Sequence, residues 1–421
     1  MLALPLVLAA LQVRPAELGT APAVFDLAGR LAGIAGLTCL LLAAVLAVRV
    51  PGFDRLFGGL TRLWHLHHRL GGASLVLLLA HPLLMAFAVA DVSVAAAAAI
   101  LFPWPPGAAP LLGWAALLCM MAFLAPTFAF FGEPEYQRWK LLHRLSGAAL
   151  LLALGHVAFV TQTLPPPWHV LVWGLLGLLA VLAVSWRFLF SRHIARLPYR
   201  VQAIARPANN VVELTLAPEG RRLRYRAGQF VYLTPYDGTL AAGNGEEHPY
   251  TLSSAPGEPV LRMAIKDLGD SSRALQQIAP GARVKIEGPY GDFFPEAAGS
   301  ELWIAGGIGV TPFLGRARHL AETAHAADVR MIYFVQDEVR ALFLEELQRI
   351  ADSLEGFTLA LHYFYREGPL TAPYLLAHCP DAASRSAYVC GPEPLLALAW
   401  RHLLAAGVAP ERIHSEEFRL L

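Results

Sequence analysis

Two stretches decide how this chain is read. The first is His68-Arg69-Leu70-Gly71-Gly72-Ala73-Ser74-Leu75-Val76-Leu77-Leu78-Leu79-Ala80-His81. The second is His143-Arg144-Leu145-Ser146-Gly147-Ala148-Ala149-Leu150-Leu151-Leu152-Ala153-Leu154-Gly155-His156. Each opens with His-Arg-Leu, runs through apolar residues, and closes on a second histidine 13 residues after the first. A helix needs about 20 mostly apolar residues to cross a bilayer, and both stretches lie in segments of that kind. An ionisable side chain inside such a segment is costly and points to function. A single histidine there is more often a polar residue satisfied by a neighbouring helix. Four at matched spacing are not readily explained in that way.

Imidazole is an axial ligand of haem iron, and two imidazoles fill both axial positions. One histidine from each helix would clamp one haem. Thirteen residues span about 20 Å of helix, so two b-type haems could stack across the membrane. By depth His68 pairs with His143 and His81 with His156. At about 100° per residue, 13 steps leave the two histidines of one helix about 140° apart around its axis. His67 lies 14 residues before His81, nearer to one face, and is the alternative inner ligand; the His-Arg-Leu repeat favours His68. Arg69, Lys140 and Arg144 are placed to meet haem propionates. His65 and His169 fall at predicted membrane edges and read as ordinary edge histidines. A zinc site would need ligands far closer in sequence.

The whole chain fits this reading. Of its 421 residues, 56% are hydrophobic and 15% charged, against about 25% charged in an average soluble domain. Mean hydropathy is +0.48. A net charge of +1 gives no case for nucleic acid as a partner. The four cysteines, Cys39, Cys119, Cys379 and Cys390, lie far apart and imply neither a metal knuckle nor a disulfide framework. Charge is scarce up to about residue 190 and ordinary beyond it. Apolar spans are predicted near Val24–Val48, His68–Ala90, Leu111–Phe131, Leu141–Thr163 and Val170–Phe190. Leu2–Val13 reads as a short or clipped first helix rather than a signal peptide, which would carry a basic start. Arg49, Arg55, Arg62 and Arg69, then Arg138, Lys140 and Arg144, then Arg187 to Arg200, fall on one side, whereas loops 90–110 and 162–169 carry neither Lys nor Arg. The positive-inside rule puts the basic loops and the soluble half in the cytoplasm.

From Tyr199 to Ile286 short alternating runs predict a small antiparallel β-barrel. From Glu301 strands alternate with helical stretches, an α/β nucleotide-binding pattern. Its first turn, Gly306-Gly307-Ile308-Gly309-Val310-Thr311-Pro312, would let backbone approach a phosphate at a helix N-terminus. Taken alone, such a turn can simply connect strand to helix. Three loops before it suit a flavin: His248-Pro249-Tyr250-Thr251-Leu252-Ser253-Ser254, Lys266-Asp267-Leu268-Gly269-Asp270-Ser271-Ser272, and Glu287-Gly288-Pro289-Tyr290-Gly291. Three units follow: a di-haem helical domain over 1–190, an FAD-binding barrel over 198–297 and an NAD(P)-binding α/β domain over 298–421.

These residues carry a family resemblance. The soluble half resembles the ferredoxin–NADP reductase superfamily. From Val24 onward the chain resembles the ferric reductase and NADPH oxidase family, in which that reductase is fused to a six-helix haem domain. The resemblance implies FAD on His248, Pro249, Tyr250 and Thr251, with the Thr251 hydroxyl near the reactive ring nitrogen. It implies pyrophosphate at Gly269 and Ser272, with Ser254, Lys266, Gly288 and Gly291 in the same flavin-binding loops. NADPH or NADH would sit at Gly306, Gly307, Gly309, Thr311 and Pro312, beside Cys390, Gly391 and Pro392. Phe418 would cover the flavin and move aside for nicotinamide. Cys390 could equally be a plain buried cysteine. Gln336-Asp337 departs from the arginine usual in NADPH-preferring members, with Arg340 a possible substitute. The implied activity is electron transfer from NAD(P)H through FAD and two haems to oxygen or a ferric complex. The expected location is a bacterial inner membrane, in contact with lipid and with no obligate protein partner.

Overall fold

A computed structural model describes residues 3–13, 18–50, 52–105, 107–127, 136–160, 164–191, 195–294, 299–323 and 328–416. The chain divides into two compact units, one of residues 1–49 with 63–190, the other of 50–62 with 191–421.

The first unit is helical. Its helices are α1 (Ala3–Ala10), α2 (Ala21–Leu46), α3 (Leu60–Ala88), α4 (Val94–Leu101), α5 (Ala108–Leu124), α6 (Tyr136–His143), α7 (Leu145–Phe159) and α8 (Pro166–Ser185). Five stretches are long and apolar enough to cross a membrane: Ala21–Leu46, Arg62–Ala88, Ala108–Thr127, Trp139–Phe159 and Pro166–Ser185. Thr20 caps α2 by accepting from the Ala23 N–H, and prolines open α8, where a missing N–H costs nothing. Leu41, Met120, Ala149, Leu150 and Ala180 are buried among the helices. Leucines 151, 171, 175, 178 and 182 face outward, as lipid-facing residues do.

Two helix boundaries matter for the histidines. Helix α3 starts eight residues before His68, so His65, His67 and His68 all lie inside it. The apolar pattern begins late because the first turns carry Arg62, His65 and Arg69. In contrast, the stretch from His143 to His156 is broken: α6 ends at His143, Arg144 forms a turn, and α7 begins at Leu145.

The second unit contains two sheets. The first is antiparallel, from β1 (Arg196–Ala208), β2 (Val211–Pro218), β3 (Phe230–Tyr236), β4 (His248–Thr251), β5 (Leu261–Lys266) and β6 (Arg283–Tyr290). Their order is β4-β3-β6-β1-β2-β5. Val212, Leu214, Leu216, Val231, Leu233, Met263 and Ile286 fill its interior. The expected barrel is not closed. Its edge strands β4 and β5 meet only at an isolated bridge, Leu252 to Met263. β4 has four residues and includes Pro249, which has no N–H to donate, so it cannot extend the ladder that closure needs.

The second sheet is wholly parallel: β7 (Ser300–Gly306), β8 (Asp328–Val335), β9 (Phe357–Tyr363), β10 (Ser386–Cys390) and β11 (Ile413–Glu416), in the order β11-β10-β7-β8-β9. Helix α9 (Asp270–Leu275) packs against β5 of the antiparallel sheet. Helices α10 (Thr311–Thr323), α11 (Leu344–Ser353), α12 (Ala372–His378) and α13 (Glu393–Ala405) alternate with the parallel strands. Trp303, Phe313, Tyr333 and Tyr388 build the core between sheet and helices. Strand β11 was not expected from its short, polar sequence.

Candidate functional site

Helices α3, α6 and α7 set two pairs of imidazoles facing each other. His81 and His156 have ring centroids 6.5 Å apart. The inner partner of His143 is His67, at 6.3 Å, and not the expected His68. His68 is exposed, with its ring beside Trp64. The physical reason lies in the helices. α3 is continuous, so the 14-residue step from His67 to His81 leaves only about 40° between them. The 13-residue step from His143 to His156 crosses the break at Arg144, which absorbs the larger rotation.

The spacing fits a metal between the rings. Two imidazole nitrogens each about 2 Å from one ion put the ring centroids roughly 6 Å apart. The orientation fits as well. His81 Nδ1 lies 2.8 Å from the Gly29 carbonyl, His156 Nδ1 2.7 Å from the Ala109 carbonyl, and His67 Nδ1 2.9 Å from the Ala43 carbonyl. A carbonyl only accepts, so each Nδ1 carries the proton and Nε2 keeps a free lone pair. That is the usual support of a metal-bound histidine. His143 Nδ1 is buried without a hydrogen-bond partner among the described residues, and its ring packs on Trp139 at 4.9 Å and Phe123 at 5.1 Å. Sequence reasoning missed the carbonyls, since backbone acceptors leave no mark in a sequence.

The flavin-side residues gather along β4 and its neighbours. Thr251 is buried and pairs with Phe230 of β3, while Tyr250 pairs with Val231. Burial holds the Tyr250 phenol above its usual pKa. His248 Nε2 lies 3.3 Å from Glu246. Ser254 serves the fold: its Oγ is 2.6 Å from the Tyr225 hydroxyl and accepts from the Arg262 N–H at 3.0 Å. Ser272 Oγ accepts from the N–H groups of Leu268 and Gly269, closing that turn on itself. Gly288 and Gly291 both have positive φ, 156° and 89°. Gly291 donates its N–H to Asp54 at 2.9 Å, and its carbonyl accepts from Gln229. Nothing in the pattern of segment 50–62 announced that contact.

The nucleotide side is a cavity of 740 Å³, within the usual range for a cofactor site. Gly306, Gly307, Gly309, Gly391 and Pro392 line it, with Lys266, Gln336 and Arg340. Lys266, expected on the flavin, therefore stands at the nucleotide cavity. Gly309 is required by contact: a Cβ there would come within 2.4 Å of the Cys390 carbonyl. Thr311 is buried and donates to the Ile308 carbonyl at 2.6 Å. Asp337 and Arg340 form an ion pair with each other. Cys390 is fully buried at the end of β10, and burial pushes its thiol well up. Beside it in register is Glu416, raised to about 8 by burial and then by Asp54. Phe418 lies outside the described residues.

Three family models match in chain order. A ferric reductase-like transmembrane component covers residues 32–154, an FAD-binding domain 196–293, and an oxidoreductase NAD-binding domain 303–400. Among curated relatives, the ferredoxin reductase component of 3-ketosteroid-9-alpha-monooxygenase from Mycolicibacterium smegmatis is 32% identical over 217 residues, 48% of this chain and 60% of that one. The NADH oxidoreductase HCR of Escherichia coli is 31% identical over 202 residues, 46% and 59% of the two chains. The chain thus spans about 60% of the length of these relatives. A solved flavohemoglobin from Malassezia yamatoensis aligns with a TM-score of 0.50 at 20% identity, over 96% of this chain and 98% of that one, a likeness of fold alone.

Proposed function

We propose that this chain, an oxidoreductase in which a ferric reductase-like transmembrane component precedes FAD-binding and NAD-binding domains as in ferric reductase and NADPH oxidase fusions, carries electrons from NAD(P)H across a membrane. The observation that carries the reading is the two facing imidazole pairs, with ring centroids 6.3 and 6.5 Å apart, the His67–His143 pair and the His81–His156 pair. When bound, FAD would take a hydride, with both its electrons, from C4 of the nicotinamide, and two b-type haems would pass those electrons on singly.

The chain's own residues do the rest. His67 and His143 would hold the inner haem, and His81 and His156 the outer one. The carbonyls of Ala43, Gly29 and Ala109 hold the protonated Nδ1 of His67, His81 and His156, which would leave each Nε2 for the metal. The strand His248–Thr251 would support the flavin, and Gly306–Thr311 with Cys390–Pro392 would seat the nucleotide. The charge of the loops supports a cytoplasmic location for the second unit. Each haem would take both its axial ligands from these histidines, which would leave no position on the iron for the acceptor. Oxygen would leave as superoxide, two per nicotinamide oxidised, with one proton released. A ferric chelate is the second reading, favoured by the description of the matching transmembrane component.

Anaerobic addition of NADH or NADPH to the FAD-loaded protein in detergent tests this. Reduced low-spin b-haem bands are expected, and the faster donor identifies the preferred nucleotide. Bands that stay oxidised while the flavin bleaches would break the proposed path. Reduction of cytochrome c sensitive to superoxide dismutase then marks oxygen as the acceptor, and capture of ferrous ion marks iron.

A further inference from the structure

The helix that follows the glycine-rich loop is fastened directly to the end of the flavin strand. On α10, Gly315 stands one turn after Thr311. A Cβ at Gly315 would lie 2.8 Å from the Leu252 carbonyl and 3.2 Å from that of Ser254, so helix and strand backbone are in contact there. One turn further, Arg318 is buried at 7% side-chain exposure. Its Nη1 donates to the Ser253 carbonyl at 2.9 Å and to Glu213 at 3.0 Å. Its Nε and Nη2 donate to both oxygens of Glu346 on α11, at 2.7 and 2.8 Å. Glu213 in turn accepts from the Ser253 hydroxyl at 2.8 Å. One guanidinium thus joins three elements: β2 and the end of β4 on the flavin side, and α11 on the nucleotide side. Its rigid, forked donors suit such a joint as a lysine would not.

β2 shows why the joint is built in. Val212, Leu214 and Leu216 face the antiparallel core, whereas Val211 packs in the core of the nucleotide-binding sheet. Glu213 shares that second face. A carboxylate buried there is tolerated only because Arg318 and Ser253 satisfy it.

We propose that Arg318, with Gly315, is a positioning residue that fixes the separation between the flavin strand and the nicotinamide loop. Thr251 is two residues before the Ser253 carbonyl that Arg318 grips, and Thr311 is seven residues before Arg318 on the same helix. The clamp therefore sets how far the His248–Thr251 strand stands from Gly306–Thr311. The inference rests on the cofactor assignments of the proposed function. Hydride transfer depends steeply on approach, and a misplacement of about 1 Å can cost on the order of 100-fold.

The test is anaerobic stopped-flow reduction of FAD by NADPH and by NADH in the full-length protein, read from the first phase of flavin bleaching with the haem bands recorded alongside and subtracted. Arg318→Met is expected to lower the rate at saturating nucleotide by about 10- to 100-fold. The half-saturating concentration and the bound FAD should stay as in the parent, and the isotope effect from 4-deuterated nucleotide should rise. Arg318→Lys should recover part of the rate. Glu346→Gln, which weakens the α11 arm of the joint, and Ser253→Ala, which removes the hydroxyl that holds Glu213, should slow bleaching to a smaller degree and stand in if Arg318→Met does not fold. Parental rates in these variants would overturn the proposal. So would a loss of rate that only follows a loss of FAD, which marks a purely structural role. A parent protein that NAD(P)H cannot bleach would instead overturn the proposed function.

Discussion

The support of the outer histidines comes down to single glycines. His81 meets the Gly29 carbonyl, and one turn on, a Cβ at Gly33 would lie 2.9 Å from its ring. His156 meets the Ala109 carbonyl, and a Cβ at Gly113 would lie 2.9 Å from its ring. Two helices without a proposed ligand, α2 and α5, thus carry the same device four residues long. Gly33→Ala or Gly113→Ala would push the ring from its carbonyl. Changes behind a metal-bound histidine typically cost about 10- to 100-fold in metal affinity. Each variant is expected to lose or shift one haem in a redox titration monitored by absorbance, and to leave the other as it was. Two unaltered haems would reduce both glycines to spacers. At this scale the matched histidines were legible because polar residues in an apolar run stand out. That His67 and not His68 faces His143 was not legible, because the His-Arg-Leu repeat and the helical face pointed to different residues and only the continuity of α3 separates them.

At the scale of elements, strands and helices of the second unit were largely readable, since alternation and glycine punctuation recur throughout it. Closure of the antiparallel sheet was not. Whether the β4 and β5 edges pair depends on a four-residue strand with a proline in it, which local pattern cannot weigh. β11 was missed for a related reason: Ile413-His414-Ser415-Glu416 looks polar, yet β10 pairs along its whole length. Its Glu416 has a measurable consequence. The unfolded chain gives up this proton in the ordinary carboxylate range, and the folded one only near about 8. Folding therefore retains a proton that the unfolded chain has released, and this group lowers stability progressively as pH rises across that window. Thermal unfolding of the second unit, followed in the full chain, should show stability falling from weakly acidic pH to about 8, and Glu416→Gln should flatten that part of the profile. A variant with the parental slope would assign the dependence to other groups.

For the molecule as a whole, composition alone separated the halves, because lipid and water select opposite surfaces. The helical unit ends at 190 in the structure, where charge returns in the sequence. Composition could not show that segment 50–62, between two spanning helices, clusters with the second unit and gives its Asp54 to the Gly291 N–H. Long-range pairing of this kind is set by the folded backbone. The account stands or falls on two haems held by two histidine pairs, and the most direct measurement is haem per chain by pyridine haemochrome, with low-spin EPR, in His67→Ala and His68→Ala beside the parent. The account predicts two haems in the parent and in His68→Ala, and one in His67→Ala. One haem in His68→Ala with two in His67→Ala, or no haem in the parent, would contradict it.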